Sequence, residues 1–185
     1  MSLRAARFGV TEEKITGYQV KGELIVIGAE AYPRELTSSI GVLREAVRLL
    51  GFDGAIENFA YTWFNRFVAL RFLDANDYTH PKIVTPQGGQ GTIPEILQDA
   101  IGGIVPNGLN VSRQDVLSTL GDTTGGKDPQ GLAYRKLLLA SCNKLSSDMP
   151  EMFEQISDYT ELLLPDDLLS AHSILSDVRD TITDD

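Results

Sequence analysis

The sequence predicts a mainly α-helical fold, a multi-helix domain of orthogonal or bundle-like arrangement with a short β-hairpin near its N-terminus. Apolar residues recur at helical spacing in several segments, and loops rich in glycine and proline separate these segments. The one stretch with strand character lies before residue 33. A chain of 185 residues with 42% hydrophobic content can bury a sizeable core.

We divide the chain into an N-terminal extension, residues 1–33, and a helical domain, residues 34–185. In the extension, two apolar runs at 18–20 and 24–27 flank Lys21-Gly22-Glu23. This pattern predicts either a short hairpin or a single strand. Ala31-Tyr32-Pro33 is expected to break the run and lead into the first helix of the helical domain.

The first predicted helix covers residues 34–50. Its apolar positions are separated by steps of four, three, four and three, which is one helical stripe: Leu36, Ile40, Leu43, Val47 and Leu50. Gly51 is predicted to cap its C-terminus. Asp53 is predicted to cap the next helix, which runs to about Asn76.

Four further helices are predicted, at 92–101, 112–121, 132–146 and 167–181. Thr92 and Glu95 are spaced as in a capping box, with proline in the first turn. Ser112 is predicted to open the helix at 112–121. Asp148 is predicted to cap a short additional helix after Met149-Pro150, and residues 122–131 are expected to form a linker.

The segment 58–74 is the most distinctive part of the chain. It contains Trp63, the only tryptophan, and four of the seven phenylalanines: Phe59, Phe64, Phe67 and Phe72. At about 100° per residue, this helix is apolar almost all round. We therefore predict a central core helix that other helices wrap on most sides.

Arg71 is the exception on this helix, because it shares a face with phenylalanines. A charge there is costly unless it is paired and hydrogen-bonded. We predict that Arg71 is a structural buried charge, at least half buried, with an acidic partner. The candidate partners are Asp74, Asp158 and Glu161.

The sequence offers no catalytic, cofactor-binding or metal-binding residue. The glycine runs at 88–91 and 125–127 follow no convincing strand and lack the Gly-Lys-Ser/Thr ending of a phosphate loop. His80 and His172 stand alone, without neighbours at metal-ligand spacing. Cys142, the single cysteine, is interpreted as a small core residue. Metal and nucleophilic catalysis are therefore not expected in this chain.

Charge and hydropathy limit the classes of partner that this chain can have. No stretch of about 18 apolar residues exists and no secretory signal follows Met1, so we expect no membrane partner and a cytoplasmic location. The net charge of −10 falls entirely in residues 148–185, where Arg179 stands against eleven acids. That end is interpreted either as a solvated surface or as a docking surface for a basic partner, and it cannot face DNA phosphates.

If the chain contacts DNA, basic residues outside the acidic end are the candidates. The predicted phosphate contacts are Arg66, Arg113, Lys127, Arg135, Lys136 and Lys144. The alternative interpretation is that these are ordinary surface lysines and arginines. Spacing alone does not distinguish the two.

Three blocks together, at 60–72, 137–143 and 158–166, carry a family resemblance. They read Ala-Tyr-Thr-Trp-Phe-Asn-Arg-Phe-Val-Ala-Leu-Arg-Phe, Leu-Leu-Leu-Ala-Ser-Cys-Asn and Asp-Tyr-Thr-Glu-Leu-Leu-Leu-Pro-Asp. In order and spacing they resemble the N-terminal region of the PglX-type adenine-specific DNA methyltransferases of BREX phage-defence systems. Such proteins are also described as type II restriction enzyme methylase subunits. The resemblance covers roughly residues 40–180.

The resemblance implies a longer parent enzyme that transfers a methyl group from S-adenosylmethionine to adenine in DNA, normally after base flipping. The family's Asn/Asp-Pro-Pro-Tyr/Phe signature is missing here, because no two of the eight prolines are adjacent. The implied role is a non-catalytic N-terminal helical domain, a fragment that holds no cofactor itself. Its implied partners are its own C-terminal catalytic domain, DNA and other defence-system subunits.

Two alternatives remain from the sequence. The chain could be a protein-interaction module that recruits other defence components without contacting DNA. It could also be an independent small enzyme, which the missing motifs disfavour.

Overall fold

A computed structural model describes residues 2–122, 128–151, 153 and 159–182. The described elements confirm a mainly α fold with a small N-terminal sheet. In chain order the helices are α1 Ser2–Arg7, α2 Thr37–Ala75, α3 Glu95–Ile101, α4 Arg113–Gly121, α5 Pro129–Asp148 and α6 Ile174–Thr181. The strands are β1 Gln19–Lys21, β2 Leu24–Ile27 and β3 Glu30–Pro33, and single 3-10 turns lie at Arg34–Leu36, Gln87–Gly89 and Tyr159–Glu161.

The N-terminal β element is a three-stranded antiparallel sheet in the order β1-β2-β3. Ile25 pairs with Val20 on one side and with Tyr32 on the other, and its side chain is fully buried. The predicted hairpin or single strand was therefore incomplete, because the segment expected to break the run forms β3. Pro33 is tolerated there since β3 is an edge strand, and it leads into the 3-10 turn as predicted.

The α1 helix was not predicted. It is only six residues long, too short for a periodic pattern to stand out. The chain that follows it is fixed by Arg44 of α2, whose guanidinium donates to the carbonyl oxygens of Phe8, at 3.4 Å, and Thr16, at 2.6 Å. The same guanidinium lies 4.8 Å from the centre of the Tyr18 ring. Arg44 therefore connects α2 to the segment between α1 and the sheet.

The two predicted central helices form one element, α2, of 39 residues with a break inside it. Gly51, at φ 75° and ψ 167°, is the non-helical residue. Side chains with a Cβ are strongly disfavoured at that φ, so the glycine marks the predicted end of the first helical segment. The predicted boundary at Gly51 is confirmed as a kink.

The aromatic segment of α2 is only partly a core helix. Phe59, Trp63 and Phe67 are at most 1% exposed, and the Trp63 indole donates to the Thr160 carbonyl at 3.0 Å. The prediction that other helices wrap this segment on most sides is wrong, because three aromatic side chains reach solvent: Tyr61 at 70%, Phe64 at 49% and Phe72 at 49% exposure. Uniform hydrophobicity removed the polar stripe that normally marks an exposed face.

Helices α3 to α6 correspond to the four further helices predicted at 92–101, 112–121, 132–146 and 167–181, and their ends differ in detail. Ser112 caps α4 as predicted, its hydroxyl accepting from the Asp115 amide. The predicted capping box before α3 is wrong: Pro94 occupies the cap position, and Glu95 instead accepts from the Lys82 amide at 2.9 Å. A proline at this position has no amide with which to close the box.

α5 begins at Pro129, three residues earlier than predicted, with Asp128 as its cap. Asp148 is the last residue of α5 and accepts from Lys144, so it does not cap the predicted short helix. Most of that predicted helix lies outside the described residues. α6 begins at Ile174, capped by Ser173, rather than at residue 167. The predicted inward residues Leu168, Leu175 and Val178 are all buried.

Backbone contacts group the chain into two compact units. The first unit comprises Met1–Phe64 and Ile156–Pro165, and the second comprises Asn65–Gln155 and Asp166–Asp185. Helices α3, α4 and α5 contact one another in the second unit. The predicted division at residue 33 stays a prediction. Along the described ranges, no helix combines the length and apolarity needed to cross a membrane.

Candidate functional site

The second unit contains a buried carboxylate that organises a loop. Asp74, near the end of α2, is fully buried. Its Oδ1 accepts from the Thr79 hydroxyl and from the Ile83 amide at 2.9 Å. Its Oδ2 accepts from the amides of Val84, at 2.8 Å, and Thr85, at 2.9 Å. Four donors from residues 79–85 therefore converge on one carboxylate, and such bonds to a charged acceptor are among the stronger ones in proteins.

Arg71 reaches the same loop from one turn earlier on α2. The predicted burial is observed, since the residue is 4% exposed. Its Nε donates to the Ile182 carbonyl at 2.8 Å, and its Nη1 donates to the Thr85 hydroxyl at 3.1 Å. The acidic partner predicted for Arg71, whether Asp74, Asp158 or Glu161, stays a prediction, and Asp158 lies outside the described residues.

Two further side chains hold carbonyl groups of the loop. The Tyr134 hydroxyl of α5 donates to Ile83 at 3.1 Å, and Arg179 of α6 donates to Val84 at 3.5 Å. Burial raises the pKa of the Tyr134 hydroxyl well above its usual range, and the nearby Asp74 charge raises it further. The hydroxyl therefore stays protonated and acts as a donor. Residues 79–85 are thus fixed by side chains from α2, α5 and α6.

This fixed loop forms one wall of a cleft of about 210 Å³. The other walls come from α3, the loop after it and the last two turns of α5. The lining residues are Tyr78, Thr79, His80, Pro81, Ile83, Ile96, Pro106, Asn107, Leu109, Ser141, Lys144, Leu145 and Asp148. Because the Asp74 bonds hold Thr79 and Ile83, the shape of the cleft is set before any ligand arrives.

The cleft is apolar at its base and polar at its rim. Ile83 and Ile96 are buried, whereas Lys144 and Asp148 are exposed and form an ion pair at 2.9 Å. Ser141 is 3% exposed, and its Oγ finds no hydrogen-bond partner in the described part of the chain. The cleft can therefore hold a largely apolar group, and it offers one buried hydroxyl that has no partner among the described residues.

The single cysteine of the chain is not suited to nucleophilic chemistry here. Cys142, which does not line the cleft, is fully buried, and burial raises the pKa of its thiol to about 12, although the Arg66 guanidinium lowers it somewhat. A thiol with that pKa is a poor nucleophile at neutral pH. Over residues 2–122, 128–151, 153 and 159–182, no three His, Cys, Asp or Glu side chains group as metal ligands would.

The predicted phosphate contacts do not form one open basic surface. Arg66 is only 7% exposed, so we withdraw it as a phosphate contact, since a buried guanidinium cannot reach a DNA backbone. Lys127 lies outside the described residues. Arg113 is exposed and donates through Nε to the Gly103 carbonyl at 3.0 Å.

The other three predicted cations each lie within 4.0 Å of a carboxylate. The pairs are Lys136–Asp115 at 2.8 Å, Arg135–Asp166 at 3.9 Å and Lys144–Asp148 at 2.9 Å. Each carboxylate offsets the attraction of its cation for phosphate. Lys144 and Asp148 are four residues apart on α5, a spacing that favours an ion pair, whereas Asp115 and Asp166 come from distant segments that the spacing did not indicate.

The first unit carries a different feature, which we call the aromatic surface. It consists of Tyr61 and Phe64 on α2 with the neighbouring residues Gly54, Glu57, Asn58 and Ala60, which together line a shallow depression. Tyr61 is 70% and Phe64 49% exposed. Adjacent exposed aromatic rings are common at protein–protein contacts.

Sequence reasoning missed the aromatic surface because it assigned every aromatic of segment 58–74 to the core. A signal was present one turn earlier. Glu57 and Asn58, both exposed, are polar residues three or four positions before Tyr61, so they lie on the same helix face. Extending the helical projection back to residue 54 would have marked this face as open to solvent.

Comparison with known proteins gives the class. No protein-family model matches the sequence. The chain is 31% identical over 172 residues to a protein named adenine-specific methyltransferase BrxX of Escherichia coli O9:H4 (strain HS), a match that covers 89% of this chain. It is also 31% identical over 137 residues, 70% of this chain, to adenine-specific methyltransferase PglX of Lacticaseibacillus casei (strain Zhang). The chain is therefore a homologue of adenine-specific methyltransferases.

Within that class, the chain is related to the PglX type, and the resemblance carried by the three sequence blocks is confirmed. The matched segments make up only 13% of BrxX and 11% of PglX in length. Most of each relative therefore has no counterpart in this chain.

Proposed function

We propose that this chain acts as a non-catalytic helical N-terminal domain of a DNA adenine N6-methyltransferase in a restriction-modification or phage-defence system of the BREX type. In this proposal the catalytic domain lies in the remainder of the parent enzyme and binds S-adenosylmethionine there, and the enzyme works in the cytoplasm. The support is the match to two adenine-specific methyltransferases over a small share of their length, in a sequence without adjacent prolines.

The aromatic surface is the observation that supports a packing role. Tyr61 and Phe64 expose most or half of their side chains on one helix face, beside small and uncharged neighbours such as Gly54 and Ala60. Aromatic side chains in such positions supply much of the binding free energy of protein interfaces. We propose that the catalytic domain of the parent enzyme covers this surface and is positioned by it.

The charges favour protein positioning over direct DNA binding. Lys136, Arg135 and Lys144 each stand beside a carboxylate, and the acidic residues that follow Asp148 would repel phosphates. A DNA contact through Arg113 and these three residues is the weaker form of the proposal. It predicts affinity for duplex DNA that falls steeply as salt rises.

The first test is the coding sequence downstream of Asp185. An Asn-Pro-Pro-Tyr-type motif in the same reading frame is expected, and a stop codon would refute the fragment interpretation. The second test is co-purification of this chain with the catalytic part of the enzyme, expressed as a separate polypeptide. Tyr61→Ser combined with Phe64→Ser should weaken the complex at least tenfold, because truncating two central aromatics removes about 2 kcal/mol or more.

Phe72→Ser is the matched control, since Phe72 is as exposed as Phe64, at 49%, but belongs to the second unit and lies outside the aromatic surface. It should leave the complex intact. The alternative function, a module that recruits other defence components, predicts a different pattern. The chain would then bind another defence subunit through the aromatic surface and show no affinity for the catalytic domain.

A further inference from the structure

The cleft of the second unit takes no part in the proposed packing role. We propose that it binds a phenol-type ring, meaning a neutral aromatic ring with one hydroxyl group. The source is either a free small molecule or the side chain of a tyrosine in another protein segment. The proposal concerns the second unit alone, so it stands or falls independently of the aromatic surface.

Size is the first argument. A protein cavity of about 150 Å³ lined by aliphatic side chains can hold a benzene molecule. The cleft measures about 210 Å³, which leaves room for one ring and a small substituent. Its base is formed in part by the aliphatic side chains of Ile83 and Ile96, which suit the faces of such a ring.

The polar groups restrict the ligand further. Ser141 is 3% exposed and lines the cleft, and its Oγ has no hydrogen-bond partner among the residues that the structure describes. A buried hydroxyl without a partner is unfavourable by about 1–3 kcal/mol relative to one that is satisfied. A ligand with a single hydroxyl can satisfy Ser141 and place its ring against the aliphatic side chains at the base of the cleft.

A nucleobase fits this lining less well. It carries donors and acceptors around most of its edge, and those that face Ile83, Ile96 and Leu145 would lie unsatisfied. An attached phosphate would approach a rim where the charge of Lys144 is already balanced by Asp148 at 2.9 Å. The chemistry of the cleft therefore favours a neutral ring with one polar group over a nucleotide.

The fixed wall makes the cleft a site rather than a transient gap. Thr79 and Ile83, which line it, are both bonded to the buried carboxylate of Asp74, and Tyr134 holds the Ile83 carbonyl. A preformed wall spares the ligand the cost of ordering a loop. This support extends through α2 and α5, two helices of the second unit.

The test is a titration of the ¹⁵N-labelled 185-residue chain with phenol, followed by amide chemical shifts. Phenol should give saturable shifts at amides of the cleft, including those of Ser141 and Leu145, and benzene should bind more weakly. Ser141→Ala should weaken phenol binding about fivefold and leave benzene unchanged, since it removes one neutral hydrogen bond. The variant should fold normally, because the lost hydroxyl has no partner among the described residues.

Leu109→Trp should abolish the phenol shifts by filling the cleft, and Ser147→Ala, an exposed serine outside the lining, should change nothing. N-acetyltyrosine amide distinguishes the two sources: binding supports a tyrosine side chain, and its exclusion while phenol binds supports a free small molecule. The proposal is overturned if phenol gives no saturable shifts, if Ser141→Ala weakens benzene equally, or if adenosine binds more tightly than phenol.

Discussion

Replacing Asp74 tests a buried group on which four hydrogen bonds converge. Asp74→Ala removes a fully buried carboxylate that accepts bonds from the Thr79 hydroxyl and from the amides of Ile83, Val84 and Thr85. The methyl group of alanine cannot replace an acceptor. Three buried backbone N–H groups therefore lose their bonds at once, and the loop that walls the cleft loses its anchor.

The magnitude follows from those bonds. Each unsatisfied buried N–H costs about 1–3 kcal/mol. Part of this loss is offset because the variant no longer has to bury a charged carboxylate. We expect Asp74→Ala to lower the free energy of unfolding by about 4 kcal/mol, a large share of the 5–15 kcal/mol typical of domains. Asp74→Asn keeps one oxygen, which can still accept from the Val84 and Thr85 amides. Its NH2 group then takes the position of Oδ1, where the Thr79 hydroxyl can accept but the Ile83 amide loses its acceptor. This substitution should cost about 2 kcal/mol.

Urea denaturation followed by circular dichroism measures both variants, with Asp167→Ala, an exposed acid of the second unit, as the control that should match the parent chain. Hydrogen exchange adds a local test. In Asp74→Asn the amide of Ile83 should exchange faster than in the parent chain, because it loses its acceptor. A loss below about 1 kcal/mol for Asp74→Ala would refute the interpretation of Asp74 as the anchor of the loop.

Two further predictions concern buried groups of the second unit. Arg71→Ala should lower the free energy of unfolding by about 3 kcal/mol, because the Ile182 carbonyl and the Thr85 hydroxyl lose a charged donor and a cavity opens. Arg71→Met should cost about 1 kcal/mol. An unchanged melting temperature for Arg71→Ala would contradict this prediction. Cys142 should not react with a thiol reagent at pH 8 until urea unfolds the chain, because burial raises the pKa of its thiol to about 12. Equal rates of reaction with and without urea would refute its burial.

Local sequence patterns predicted the fold class and most helices, because each depends on neighbours along the chain. Ser112 predicted the start of α4, and Gly51 predicted the boundary that is the kink in α2. Helix ends set by competition between neighbouring groups were harder to predict. The Glu95 carboxylate accepts a hydrogen bond from the Lys82 amide instead of closing a capping box. Asp128 caps α5, so the helix begins earlier than the apolar spacing suggested.

The candidate sites depended on contacts between distant segments, which a single sequence does not reveal. Asp74 was considered only as a candidate partner for Arg71, and its hydrogen bonds with residues 79–85 were not predicted. Arg66 looked like a surface cation and is buried. The exposure of Tyr61 was not predicted, because an aromatic residue in an apolar helix normally indicates burial. The family resemblance was accessible from sequence because it rests on residue identity and order.

The most direct test of the central claim is methyl transfer in a split enzyme. The parent methyltransferase would be produced without this domain, and site-specific adenine methylation measured with labelled S-adenosylmethionine before and after the 185-residue chain is added. We predict that the chain alone is inactive, that the truncated enzyme is impaired, and that adding the chain restores methylation unless Tyr61 and Phe64 are replaced by serine. Full activity of the truncated enzyme, or methylation by the chain alone, would contradict the account.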